Sequence, residues 1–130
     1  VKYSMVLASL AILFPIHSWA DTTICKVSGE IGAIKAISWN SESHSASIKD
    51  SLGNEHKGKV THSRKHGEMG EKVNIYIVYD EPFYGSDSSE FIVFPVNNSH
   101  RVIGVSYIIR NDEKHLDISN GNYSATCLSM

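Results

Sequence analysis

Val73-Asn74-Ile75-Tyr76-Ile77-Val78-Tyr79 is the stretch on which the fold of this chain turns. Val73, Ile75, Ile77 and Tyr79 fall on one side of an extended chain, and Asn74, Tyr76 and Val78 on the other. That period of two is what a half-buried strand requires, and β-branched or aromatic residues fill every position but Asn74. Residues 91–96 and 101–110 read as strands on the same grounds, joined by Asn97-Asn98-Ser99. Upstream, residues 22–27 form a first strand that Ser28-Gly29 ends. Residues 31–39 are apolar and fit either a strand or a short helix, because Ile31, Ile34 and Ile37 also fall at helical spacing. Residues 45–50 and 55–61 flank Leu52-Gly53-Asn54, a hairpin signal. Downstream, residues 115–119 and 122–128 are expected to pair across an Asn120-Gly121 turn. Roughly eight short strands with turn formers between them predict an all-β fold, an antiparallel β-sandwich or a small closed β-barrel.

The first twenty residues bear on where such a domain works. Lys2 precedes an apolar run over residues 5–16, and Ser18-Trp19-Ala20 places small residues where a signal peptidase reads. The run is shorter than the about 20 apolar residues that cross a bilayer, so residues 1–20 read as a cleavable secretory signal peptide. The expected mature chain, residues 21–130, has the size of one domain with a modest core. Its expected compartment is the periplasm.

Of 12 Lys+Arg and 14 Asp+Glu, only Lys2 lies in the leader, so the formal charge of −2 becomes one unit more negative on cleavage. A mildly acidic chain without a dense cationic stretch is a poor nucleic-acid binder and a better match for a basic protein. The two cysteines, Cys25 and Cys127, sit near either end of the mature chain. In an oxidising compartment they read as a single structural disulfide, since there is no C-x-x-C motif to suggest redox chemistry.

Three constellations could carry function. His56, His62 and His66 lie within eleven residues and could contribute to a metal or small-ligand site. Lys57, Lys59, Arg64 and Lys65 among them oppose a cation, however, and residues 62–72 read as a loop. No cofactor is therefore expected. Asp80, Glu81, Asp87 and Glu90 crowd together, but paired carboxylates do acid–base work only at a defined separation and in different environments, so an enzyme is not expected. The same region reads better as a binding loop over residues 80–90. Phe83 and Tyr84 would serve as aromatic anchors, with Asp80, Glu81, Asp87 and Glu90 around them. Glu68 and Glu71 mark residues 62–72 as a second candidate loop. Large residues on both faces of the strands, including Tyr76, Val78, Val102 and Ile108, suggest a homodimer.

The leader ending at Ala20, Cys25 in the first mature strand and Tyr123-Ser124-Ala125-Thr126-Cys127 in the last together resemble a known plan. It is that of periplasmic lysozyme inhibitors and of type VI secretion immunity proteins that neutralise lysozyme-like effectors. The C-type lysozyme inhibitors carry a Ser-Gly-x-x-Tyr signature and an aromatic-Lys-Gly element. Phe83-Tyr84-Gly85-Ser86-Asp87 lacks that pattern, so their key residues are not carried over. The resemblance implies a non-enzymatic domain that binds a peptidoglycan-degrading hydrolase and occludes its catalytic groove.

Overall fold

The structure, a computed structural model, describes residues 21–28, 33–65 and 67–130. The expected signal peptide lies outside the described residues. Eight strands follow in order: β1 (Thr22–Ser28), β2 (Ile34–Asn40), β3 (Ser45–Asp50), β4 (Glu55–Lys65), β5 (Glu71–Phe83), β6 (Ser86–Val96), β7 (Ser99–Arg110) and β8 (Glu113–Ser129). Each pairs antiparallel with the next, and β8 returns to β1, so the sheet closes into a barrel. Of the two expected architectures the chain takes the barrel. Closure leaves no free sheet edge at the β1–β8 seam.

The alternation that marks residues 73–79 as a strand also sets its inner face. Val73, Ile75 and Ile77 are fully buried and Tyr79 nearly so. They meet Ile37, Trp39, Ile48, Phe91, Val93, Val102 and Ala125 in one core. The interior of an eight-stranded barrel is just wide enough for side chains to fill it. Small residues therefore face large ones: Ala46 pairs with Trp39 across β2–β3, and Gly58 pairs with Ile77 across β4–β5. A Cβ on Gly58 would overlap the Tyr76 carbonyl oxygen and stand 2.5 Å from Ile77 Cδ1. Only hydrogen fits there.

Cys25 and Cys127 are directly opposed partners on β1 and β8, joined by a disulfide with their Cα atoms 3.9 Å apart. The covalent link thus lies on the seam that closes the barrel.

Several expectations need correction. Residues 34–40 are strand, which removes the helical alternative there; residues 29–32 lie outside the described part. The two expected C-terminal strands are one, because both halves pair with β7. The Asn120-Gly121 step falls at a register shift between Val102 and Gly104, a bulge rather than a turn. Residues 62–72 are not one loop: His62 to Lys65 continue β4, paired with β5, and among the described residues between the strands Gly67–Met69 form a short 3₁₀ turn. Residues 80–90 are likewise mostly strand. Val102 points into the core at 1% exposure, so it cannot support an outward dimer face. Of the residues behind that expectation, Val78 is the one more than half exposed.

Two outcomes follow. Native protein should present no alkylatable thiol, and replacing both cysteines by serine should cost about 4–5 kcal/mol in the chain-entropy account of a loop of roughly 100 residues. Mass spectrometry after alkylation and urea unfolding measure these. Gly58→Ala should lower stability by about 1–3 kcal/mol through overpacking, read as a shifted urea midpoint with an unchanged slope.

Candidate functional site

Because neighbouring strands run antiparallel, alternate connections lie at the same end of the barrel. The β3–β4, β5–β6 and β7–β8 turns share one end, here termed the turn end. At that end the core changes from apolar to mixed. Asp50, the last residue of β3, is 5% exposed, and its Oδ1 accepts the backbone N–H groups of Leu52 and Asn54, each at 2.9 Å. This Asx-type capping makes the tight turn, in which Gly53 takes φ +88°. Asp50 Oδ2 lies 3.0 Å from His56 Nε2 on β4. The His56 hydrogen bond holds the Asp50 carboxyl below its usual range; burial opposes this, and the Asn54 and Leu52 N–H groups reinforce it.

The His56 ring packs edge-on against Tyr79 at 5.3 Å and lies tilted against Phe83 at 4.8 Å. Phe83 in turn lies 5.0 Å from Tyr79 and 4.7 Å from Tyr84. Below them the Tyr79 hydroxyl donates to Ser89 Oγ at 2.8 Å, and Ser89 Oγ shares a hydrogen with Ser106 Oγ at 2.9 Å. Burial raises the Tyr79 phenol above its ordinary value, which keeps it a neutral donor. A continuous set of contacts therefore runs from the β3–β4 turn to the β5–β6 turn.

The β5–β6 turn consists of two residues, Tyr84 and Gly85, flanked by the pair Phe83 and Ser86. Both have positive φ, +50° and +81°. That is the left-handed geometry of the tightest hairpins, normally occupied by Asn, Asp or Gly. Tyr84 is bulky, sits there nonetheless, and is 68% exposed. Leu52, at the tip of the neighbouring turn, is 82% exposed. Two large apolar side chains thus project from adjacent turns without serving the core.

The candidate residues divide accordingly. Phe83 is half-buried as the support of Tyr84, and Asp80 and Glu81 are exposed beside it. Asp87 accepts the Ile109 backbone N–H at 2.8 Å and so fastens β6 to the β7–β8 hairpin. Glu90 pairs with Tyr76 and Val105 on the outer sheet face, away from the tip. Glu68 and Glu71 belong to the opposite end, where Glu71 accepts the Ser41 hydroxyl at 3.1 Å. The second candidate loop, with Glu68 and Glu71, is therefore separated from residues 80–90 by the length of the barrel.

The histidines are separated too. His56 turns inward to Asp50, whereas His62 is exposed six residues further along β4, roughly 20 Å at strand rise. His66 lies outside the described residues. Among the described residues no group of three His, Cys, Asp or Glu side chains is placed to hold a metal ion.

Between β4 and β5 the turn end also holds a cleft of about 510 Å³. Residues 55–57 line one side and residues 78–81 the other. Sequence reasoning missed this cleft and the Asp50–His56 pair, because both depend on where strand pairing stops. Comparison of the chain with protein-family models, curated proteins and solved structures found no match.

The lowered carboxyl sets an acid dependence. Asp50 has a folded pKa below the unfolded value of about 3.9, so its stabilising effect is complete above that value and is lost as pH falls through the folded pKa. In thermal melts from pH 6 to 2, wild type should lose melting temperature more steeply below pH 4 than Asp50→Asn. The variant should be the less stable of the two at pH 6.

Proposed function

We propose that this protein is an exported, non-enzymatic binding domain that neutralises a peptidoglycan-degrading, lysozyme-like hydrolase, as an immunity protein of the type VI kind does. The observation that carries this reading is Tyr84: an aromatic residue held at positive φ, two-thirds exposed, and braced from behind by Phe83, His56 and Tyr79. Backbone strain of that kind costs of order 1 kcal/mol and persists where its surroundings over-determine it, which is common at binding sites. A rigid aromatic on a short hairpin offers large contact area at little cost in entropy.

The mechanism is steric. The turn end enters the extended groove in which such enzymes hold their carboxylates, Tyr84 and Leu52 fill it, and water and substrate are excluded. Exposed Asp80 and Glu81 steer a basic enzyme toward the tip. Peptidoglycan lies outside the cytoplasm, and the disulfide supports maturation in an oxidising compartment. Among the described residues no helix is long and apolar enough to cross a membrane.

The test is clearance of purified cell walls by a hydrolase encoded beside this chain. Wild-type protein should inhibit. Tyr84→Ala should lose about 2 kcal/mol of binding, roughly thirtyfold in affinity. Asp80→Asn should mainly slow association and flatten its salt dependence. Asp87→Asn should lower thermal stability more than affinity, because its carboxylate serves the β7–β8 hairpin. Failure of wild type to inhibit any neighbouring hydrolase overturns the reading. Full inhibition by Tyr84→Ala moves the interface away from this tip.

A further inference from the structure

The β4–β5 ladder extends from the Lys65–Glu71 pair to the Gly58–Ile77 pair and stops there. Gly58 is the last β4 residue of that ladder, and even a methyl group there would strike the Tyr76 carbonyl. Beyond it no further pair joins β4 to β5. Glu55, His56 and Lys57 pair with β3 on one side and have no ladder partner on the other. Val78 pairs with Ser88 of β6 but with nothing on β4. The β5–β6 register then slips between Val78 and Phe83, where four residues of β5 face a single residue of β6. Two stretches of strand without a ladder partner on the facing side thus lie across from each other at the cleft described above. Unpaired edges of this kind are templates for an added strand.

The side chains specify what such a strand would carry. Strand alternation turns His56 and Tyr79 toward the floor and leaves Glu55, Lys57, Val78 and Asp80 along the rim. The Glu55, Asp80 and Glu81 carboxylates are exposed and make no hydrogen bond or ion pair with another described residue, and among the described residues Lys57 is the one Lys or Arg lining the cleft. Val78, 56% exposed, offers apolar contact. Three carboxylates against one ammonium favour a cationic guest, and a planar guanidinium suits both carboxylates and aromatic rings.

We infer that the β4–β5 cleft is a strand-addition site that takes an extended, arginine-bearing segment of a protein partner, its backbone bonded to residues 55–57 or 78–81 and its cations set against Glu55, Asp80 and Glu81. This deepens the proposed function, since the cleft lies beside Tyr84 and would give the inhibited hydrolase a second contact. It rests on that reading only for the partner's identity.

The experiment uses the disulfide-bonded protein and a blocked octapeptide of alternating arginine and valine, with amide hydrogen exchange and a binding titration as readouts. The peptide should slow exchange at least tenfold within residues 55–57 or 78–81. Asp80→Asn/Glu81→Gln, at exposed positions, should keep the wild-type melting profile and lose at least tenfold in affinity. A glutamate–valine octapeptide should give no protection, nor should the arginine peptide with alternate amides N-methylated on its pairing edge. Absent protection, protection confined to other strands, or equal affinity for the double variant would overturn the inference. No hydrolase enters this measurement. Cell-wall clearance can therefore fail while strand addition stands, and inhibition can persist where the peptide does not bind.

Discussion

Pairing of the first strand with the last is the constraint on which the rest of the structure depends. Seven of the eight strand pairs join neighbours in sequence, and each could form as a local hairpin. The β1–β8 pair joins Thr23 to Ser129 and Ser28 to Ser124, so it closes a loop spanning nearly the whole described chain. Loop closure of that length is entropically unfavourable and must precede the contacts that reward it. The Cys25–Cys127 bridge lies in the middle of this ladder, between directly opposed residues. In the oxidised unfolded chain the two ends are already held together, so closure loses far less freedom. Once closed, the sheet has an interior in which Val73, Ile75, Ile77, Ile37 and Ile48 are shielded completely.

A closed tube of apolar residues still has two ends, and the turn end shows how one is finished. Asp50 and His56 bond each other, the Asx turn supplies two further donors, and beneath them the Tyr79, Ser89 and Ser106 hydroxyls bond one another in a chain. Buried polar groups arranged this way rigidify their surroundings because each loses more by moving than it would in water. The consequence is mechanical support for the surface. Phe83 rests on His56 and Tyr79, and Tyr84 rests on Phe83, so the exposed tip is connected to the core by packed rings. The same end is where the barrel departs from regular pairing. The opening between β4 and β5 coincides with the slip between β5 and β6, and the strain of Tyr84 lies next to both. Irregular pairing and backbone strain concentrate where side chains are aimed at something other than the core.

Much of this was legible in the residues, and what was not has a physical cause. Alternation fixes which face of a strand is buried wherever one face alone is apolar, as at Val73, Ile75, Ile77 and Tyr79. It is less decisive in β7, where Ile103, Val105 and Tyr107 compete with Val102 and Gly104; the register with β6 and β8 turned Val102 inward. Turn formers mark a break only when the flanking segments have no common neighbour. Asn120-Gly121 lies opposite a continuous β7 and became a bulge, whereas Tyr84-Gly85, with a less favourable sequence, became the hairpin. Proximity in sequence misled most at the candidate sites. His56 and His62, close on paper, are kept apart by strand rise, and the acids of residues 68–71 and 80–81 lie at opposite ends because one strand connects them.

The sequence by itself determined an all-β domain of about eight strands, the identity of its central strand and the pairing of its only two cysteines, since these follow from side-chain period, turn chemistry and the count of thiols. Only the tertiary structure decided that the sheet closes, that Asp50 and His56 meet inside it, and that Leu52 and Tyr84 share one end with an open seam. Those outcomes depend on register between strands distant in the chain, and register is set by how every face packs at once rather than by any one stretch.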